Sequence, residues 1–226
     1  MITVVQTATP ATGSGSVSCA FASPPAAGNK VIIAVATQHS GTDSRPSTPS
    51  GFVQTLTEGT GLGKVTVFHR EAGASEPSSY SVSMSGGDNQ LWGWEVSGLV
   101  DSDTIGDLVD ASFAGGFASA TSISMTVGPL DEDEVFLVGV VSPANTVGSQ
   151  AMTNGFAVVQ QASRGFIGTR IDTSAATTSP TTNATWTTGR FGSAALIAFA
   201  GASAPPAPLG TVWRTASGGV LRGFTA

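Results

Sequence analysis

Among the groups in this 226-residue chain that could do chemistry are two histidines, one cysteine and fifteen acids. The densest arrangement of acids is Asp101-Ser102-Asp103-Thr104-Ile105-Gly106-Asp107. It places carboxylates at the first, third and seventh positions of a calcium loop and glycine at the sixth. Ile105 stands where a ligand belongs, and Ser112 replaces the bidentate glutamate such a loop requires. Asp101, Asp103 and Asp107, with Asp110 nearby, are therefore the metal candidates, and the expectation is that no metal or cofactor resides here. Asp131-Glu132-Asp133-Glu134 reads as a solvated turn entering a strand. His39 lies in a loop with Gly41 and Asp43. His69 ends a strand on the Val65/Val67 face, where the equivalent position later in the chain is Thr173, so a structural role is expected. There is no Gly-x-Ser-x-Gly elbow, and strand faces and turns account for the many serines. Cys19 stands alone, which rules out a disulfide framework or a thiolate cluster within one chain. These residues assemble no catalytic set, and the chain reads as a non-enzyme.

The aromatics point towards binding instead. Trp92 and Trp94 alternate with Gly93 and Glu95 and read as core. Phe117, within Ala114-Gly115-Gly116-Phe117-Ala118, reads as a ring exposed on a flexible loop and suited to stacking on a sugar. Near the end of the chain, Trp213 and Arg214 stand side by side, as residues at an interface hot spot often do. Leu221, Arg222 and Phe224 follow closely.

Charged residues make up 11% of the chain, against roughly 25% in an average domain. Net charge is −6. A phosphate backbone meets mostly repulsion on such a surface, so nucleic acid is not an expected partner. The most apolar run, Ala194 to Ala200, is too short to cross a bilayer. The first residues, Met1-Ile2-Thr3-Val4-Val5-Gln6, have neither the basic nor the apolar region of a secretory signal. The expectation is folding in a reducing cytoplasm.

The elements that must position these residues are strands. Val17, Cys19 and Phe21 alternate with small polar residues, as do Tyr80, Val82 and Met84, and then Ile123, Met125 and Val127. Period two with one apolar face describes a half-buried strand. Residues 31–36, 135–141 and 194–200 are apolar at nearly every position and read as central strands covered on both faces. Helical periodicity is absent apart from one turn between Asp103 and Val109. The pattern is also written twice. Val31 and Val135 stand 104 residues apart, as do Phe52 and Phe156, and the closing Gly98 and Gly201 stand 103 apart. The expectation is an all-β, antiparallel, jelly-roll-like sandwich over residues 1–203, with copies at about 1–100 and 101–203. Two tandem sandwiches would also satisfy the repeat. The absence of a Pro-rich or polar linker near 98–110 favours one sandwich with the copies related by a pseudo-twofold. Residues 204–226 form a Pro-rich spacer and a short hairpin, too small to be stable alone in water. It is read as a docking tail.

Gly28-Asn29-Lys30-Val31-Ile32-Ile33, Pro49-Ser50-Gly51-Phe52, Val67-Phe68-His69-Arg70-Glu71-Ala72-Gly73-Ala74-Ser75-Glu76-Pro77-Ser78-Ser79-Tyr80 and Trp92-Gly93-Trp94-Glu95-Val96-Ser97-Gly98 together resemble a group of jelly-roll-like β-sandwich virion proteins. These are encoded by tailed bacteriophages and prophages, as minor tail, fibre-associated or head-decoration proteins. The likeness spans about residues 1–203 and transfers no catalytic residue. It implies a virion location after folding in the host bacterial cytoplasm. It also implies partners among capsid or tail subunits or further copies of the chain. The alternative reading is a carbohydrate-binding adhesion module that recognises host-surface polysaccharide through Phe117.

Overall fold

The computed structural model describes residues 1–38, 46–59, 63–84, 87–145, 147–161, 165–173 and 178–202, together with the backbone of 213–214 and 220–221. His39, Gly41, Asp43, Arg222 and Phe224 lie outside the described residues, as does most of the tail. The first unit contains β1 (Thr3–Thr7), β2 (Ala11–Gly13), β3 (Val17–Ala20), β4 (Lys30–Gln38), β5 (Val53–Glu58), β6 (Lys64–Glu71), β7 (Ser79–Val82) and β8 (Asp88–Ser97). One helical turn, α1 (Ile105–Leu108), leads to the second unit. That unit contains β9 (Val109–Thr126), β10 (Val135–Pro143), β11 (Ala151–Met152), β12 (Ala157–Gln161), β13 (Gly165–Asp172) and β14 (Thr181–Ala200). The tail contributes β15 (Trp213–Arg214) and β16 (Val220–Leu221), which pair with each other.

All the strand pairings are antiparallel, and the expected all-β sandwich with an internal duplication is what forms. One sheet runs β1-β8-β4-β6-β5, with β2 extending the edge beside β8. The other runs β14-β10-β13-β12, with β9 beside β14 in the place of β1 and β11 as a short addition. The long β9 carries in one strand what the first unit divides among β1, β2 and β3, and β14 likewise fuses the counterparts of β7 and β8. Bulges between Thr185 and Gly192 interrupt the β9/β14 register, and such bulges bend a strand pair. Beyond them Ile123 pairs with Ala184 and Met125 with Thr182, matching the separate β3/β7 ribbon of the first unit, where Cys19 pairs with Tyr80.

Period two along the central strands creates three cores. Ile32, Ala34 and Ala36 of β4 face Phe136, Val138 and Val140 of β10 across the space between the sheets, where Trp92, Trp94, Ile197 and Phe199 join them. The alternate residues Val31, Ile33 and Val35 face outward beneath the β3/β7 ribbon and pack on Cys19, Phe21, Tyr80 and Val82. Val135, Leu137 and Val141 do the same beneath the folded-over ends of β9 and β14, meeting Met125, Ala184 and Trp186. This is why β4 and β10 are buried at every position.

The two sheets are also joined by polar contacts at both ends of the sandwich. At one end Leu99 bridges to Gly201, and Ile2 N donates to Glu134 Oε2 at 2.7 Å. At the other, Ser142 Oγ donates to Thr37 O at 3.2 Å, Gln38 donates to Pro143 O, and Gly165 N donates to Gln90 Oε1 at 2.8 Å. Register places Val135 and Ala200 at the first end and Pro143 and Gly192 at the second.

Candidate functional site

The polar residues of the motifs at 67–80 and 92–98 are engaged within the first unit. Glu76 is buried, and its carboxylate accepts from Arg70 Nη2 at 2.6 Å, Gly73 N at 2.7 Å and Tyr80 Oη at 2.7 Å. The Arg70 guanidinium also lies over the Phe52 ring, 5.5 Å from its centre. Phe52 and Phe21 each meet Tyr80 edge-on. Glu95 is equally enclosed and accepts from Gln6 Nε2 at 2.5 Å, Ala26 N at 2.8 Å and Asn29 Nδ2 at 2.5 Å. With three donors on each carboxylate, neither is available to a substrate. Burial, reinforced by the hydrogen bond to Glu76, raises the Tyr80 phenol above its ordinary value. Burial also pushes the Cys19 thiol up to about 11, which leaves it without nucleophilic character at neutral pH.

His69 is fully buried at the end of β6. Its Nδ1 is 2.7 Å from Thr55 Oγ1, and its Nε2 is 3.2 Å from Asp103 O. A carbonyl only accepts, so the proton sits on Nε2 and the threonine hydroxyl donates to Nδ1. Burial lowers the pKa of the ring, with Asp103 acting in the opposite sense. Its counterpart in the second unit is not Thr173. Ile32 pairs with His69 and Phe136 with Ile171, and Ile32 corresponds to Phe136 at the 104-residue offset, so the equivalent residue is Ile171. The connection between β12 and β13 is shorter than that between β5 and β6, and a constant sequence offset does not survive that change.

The acids of the imitation calcium loop are separated by their contacts. Asp103 Oδ1 pairs at 3.1 Å with Lys30 Nζ, which also holds Glu71 Oε2 at 2.9 Å and is itself buried. Asp107 Oδ2 accepts from Ser102 Oγ at 2.9 Å, and Asp101 is exposed. The Asp110 carboxylate accepts from the backbone N–H groups of Asp131 and Glu132, so it caps the acidic turn. Among the described residues no group of three or more His, Cys, Asp or Glu is placed to hold a metal ion.

Phe117 corrects the sequence reading. It is not on a loop. It lies within β9 and pairs with Gly192, and its ring packs against Trp186 with centres 4.8 Å apart. A Cβ on Gly192 would stand 2.6 Å from the Phe117 ring, so glycine here makes room for it. The ring most exposed in this region is instead Phe191, 56% accessible, which the sequence did not single out. A cleft of about 570 Å³ opens beside it, lined by Glu58 of the first sheet and by Gly116, Phe117, Ala118, Phe191, Gly192 and Ser193 of the second. In the tail, the backbones of Trp213 and Arg214 pair with those of Leu221 and Val220, as the hairpin reading requires. No family model, curated protein or solved structure matches this chain.

Proposed function

We propose that the chain is a non-enzymatic structural component of a tailed-phage particle, a minor tail or capsid-decoration protein. In this reading residues 204–226 dock on a neighbouring subunit. The observation that carries it is the use to which the shared motifs are put. Arg70, Glu76, Tyr80, Asn29 and Glu95 are the polar residues that make the chain resemble virion sandwiches, and each is engaged in locking strands and turns together. A motif whose polar groups all serve packing transmits a scaffold rather than a reaction.

The tail supplies the attachment. Among the described residues β15 and β16 are two residues each and hydrogen-bond into neither six-stranded sheet. A ribbon of that size gains its stability from a surface it lies on. A chain ending at residue 203 is expected to remain soluble and folded and to be missing from purified particles. Incorporation of that truncation at the level of the full chain would overturn the docking role, and cryo-electron microscopy of particles locates the protein directly.

A further inference from the structure

We infer that the cleft between Glu58 and Phe191 is a binding site for a neutral saccharide. This assignment goes beyond the structural role and does not depend on it. The cleft lies at the end of the sandwich where the two units meet. Glu58 comes from the last position of β5, while Phe191 and Ser193 lie two apart on β14 and so project from the same face. Its volume is in the range of small-molecule sites.

The lining narrows the class of ligand. Among the described residues no lysine, arginine or histidine borders the cleft. Among the described lining residues the one ionisable group is Glu58, whose carboxylate makes no hydrogen bond or ion pair to any described residue. On a chain of net charge −6, phosphate, sulfate and carboxylate ligands meet repulsion here. What the described walls offer is two aromatic rings, of which Phe191 is the exposed one, a carboxylate and glycine backbone. The face of an aromatic ring is the negative part of its quadrupole and favours polarised C–H groups. A pyranose presents C–H groups on one face and hydroxyl donors around its rim. It can lie on Phe191 while its hydroxyls donate to Glu58.

The backbone around the cleft is held in place. A Cβ on Gly59 would come within 2.6 Å of Ser193 Oγ, and one on Gly63 within 2.3 Å of Ser142 O. The glycines thus let the chain next to β5 approach β14 and β10 closely, which brings Glu58 and Phe191 to the same cleft.

The test is calorimetric titration of the full chain with maltotetraose, cellotetraose, chitotetraose and a neutral O-antigen polysaccharide, with tetragalacturonate as the acidic control. Binding of at least one neutral probe is expected, weakened about tenfold or more by both Phe191→Ala and Glu58→Gln. Phe191 is largely solvent-exposed, so its variant should match the parent in circular dichroism and melting. Glu58→Gln alters the acceptor without changing its shape. Three results would each overturn the assignment: silence of all neutral probes at about 10 mM, unchanged affinity in either variant, or equal binding of tetragalacturonate.

Discussion

His69 is held between the Thr55 hydroxyl and the Asp103 carbonyl, and the neutral Nε2–H ring satisfies both. Its pKa in the folded chain lies below the ordinary 6.5, chiefly because burial disfavours the charged ring. The unfolded chain therefore takes up a proton first as the pH falls. Stability from this residue is complete above about pH 6.5 and is lost as the pH drops towards the folded value. The variant His69→Phe removes both hydrogen bonds and the titration. It should be less stable than the parent at pH 7, and the gap should narrow as the pH is lowered to 5, measured by urea denaturation at each pH. A gap that stays constant or widens would show that the imidazole is not held neutral. Lys30, Glu71 and Asp103 surround the same corner, so the comparison with the variant, rather than the parent's profile alone, isolates the ring.

Between strands, glycine decides how closely the two units approach. Gly63 has φ +79, and a Cβ there would lie 2.3 Å from the Ser142 carbonyl and 2.9 Å from Gly192 Cα. Gly15 has nearly the same φ, +77, with nothing within 4 Å. Gly15→Ala should cost about 1 kcal/mol, the conformational term alone. Gly63→Ala should cost about 2–4 kcal/mol, because the sheets must also part. Equal losses in denaturant titrations would mean that the seam yields freely. This scale also separates what was legible in the sequence from what was not. Alternation gave the β3, β7 and β9 faces, since burial on one side imposes period two wherever it occurs. The unbroken apolar runs of β4 and β10 announced two covered faces. Phe117 was misread because Gly115 and Gly116 look like loop residues. Here they are strand residues, and at Gly115 the missing side chain accommodates a neighbouring ring, since a Cβ there would stand 3.1 Å from the Phe113 ring. Phe191 went unnoticed because its exposure depends on where the first sheet ends above it, which no local pattern records.

At the scale of the molecule, the decisive feature is that β4 and β10 each serve two cores. The interior between the sheets draws on both units, with Trp92 and Trp94 from one and Phe136, Ile197 and Phe199 from the other. Neither unit can lose its structure without uncovering the other's apolar face. The chain should therefore unfold in one calorimetric transition, with calorimetric and van't Hoff enthalpies in agreement. Phe136→Ala should lower that transition by about 3–5 kcal/mol without splitting it. Two resolved transitions, or a mutation in one unit that leaves the other's melting untouched, would show that the units are only tethered. The strand register adds a direction to this body. Gly201 and Ala202 lie at one end of the central strands, where Ala202 N donates to Gly98 O, while Glu58 and Phe191 stand at the opposite end. A nine-residue strand such as β10 separates the two, roughly 26 Å at about 3.3 Å per residue. Under the proposed docking role, a particle attached beside Ala202 would leave the proposed saccharide cleft at the far end of the body from the attachment.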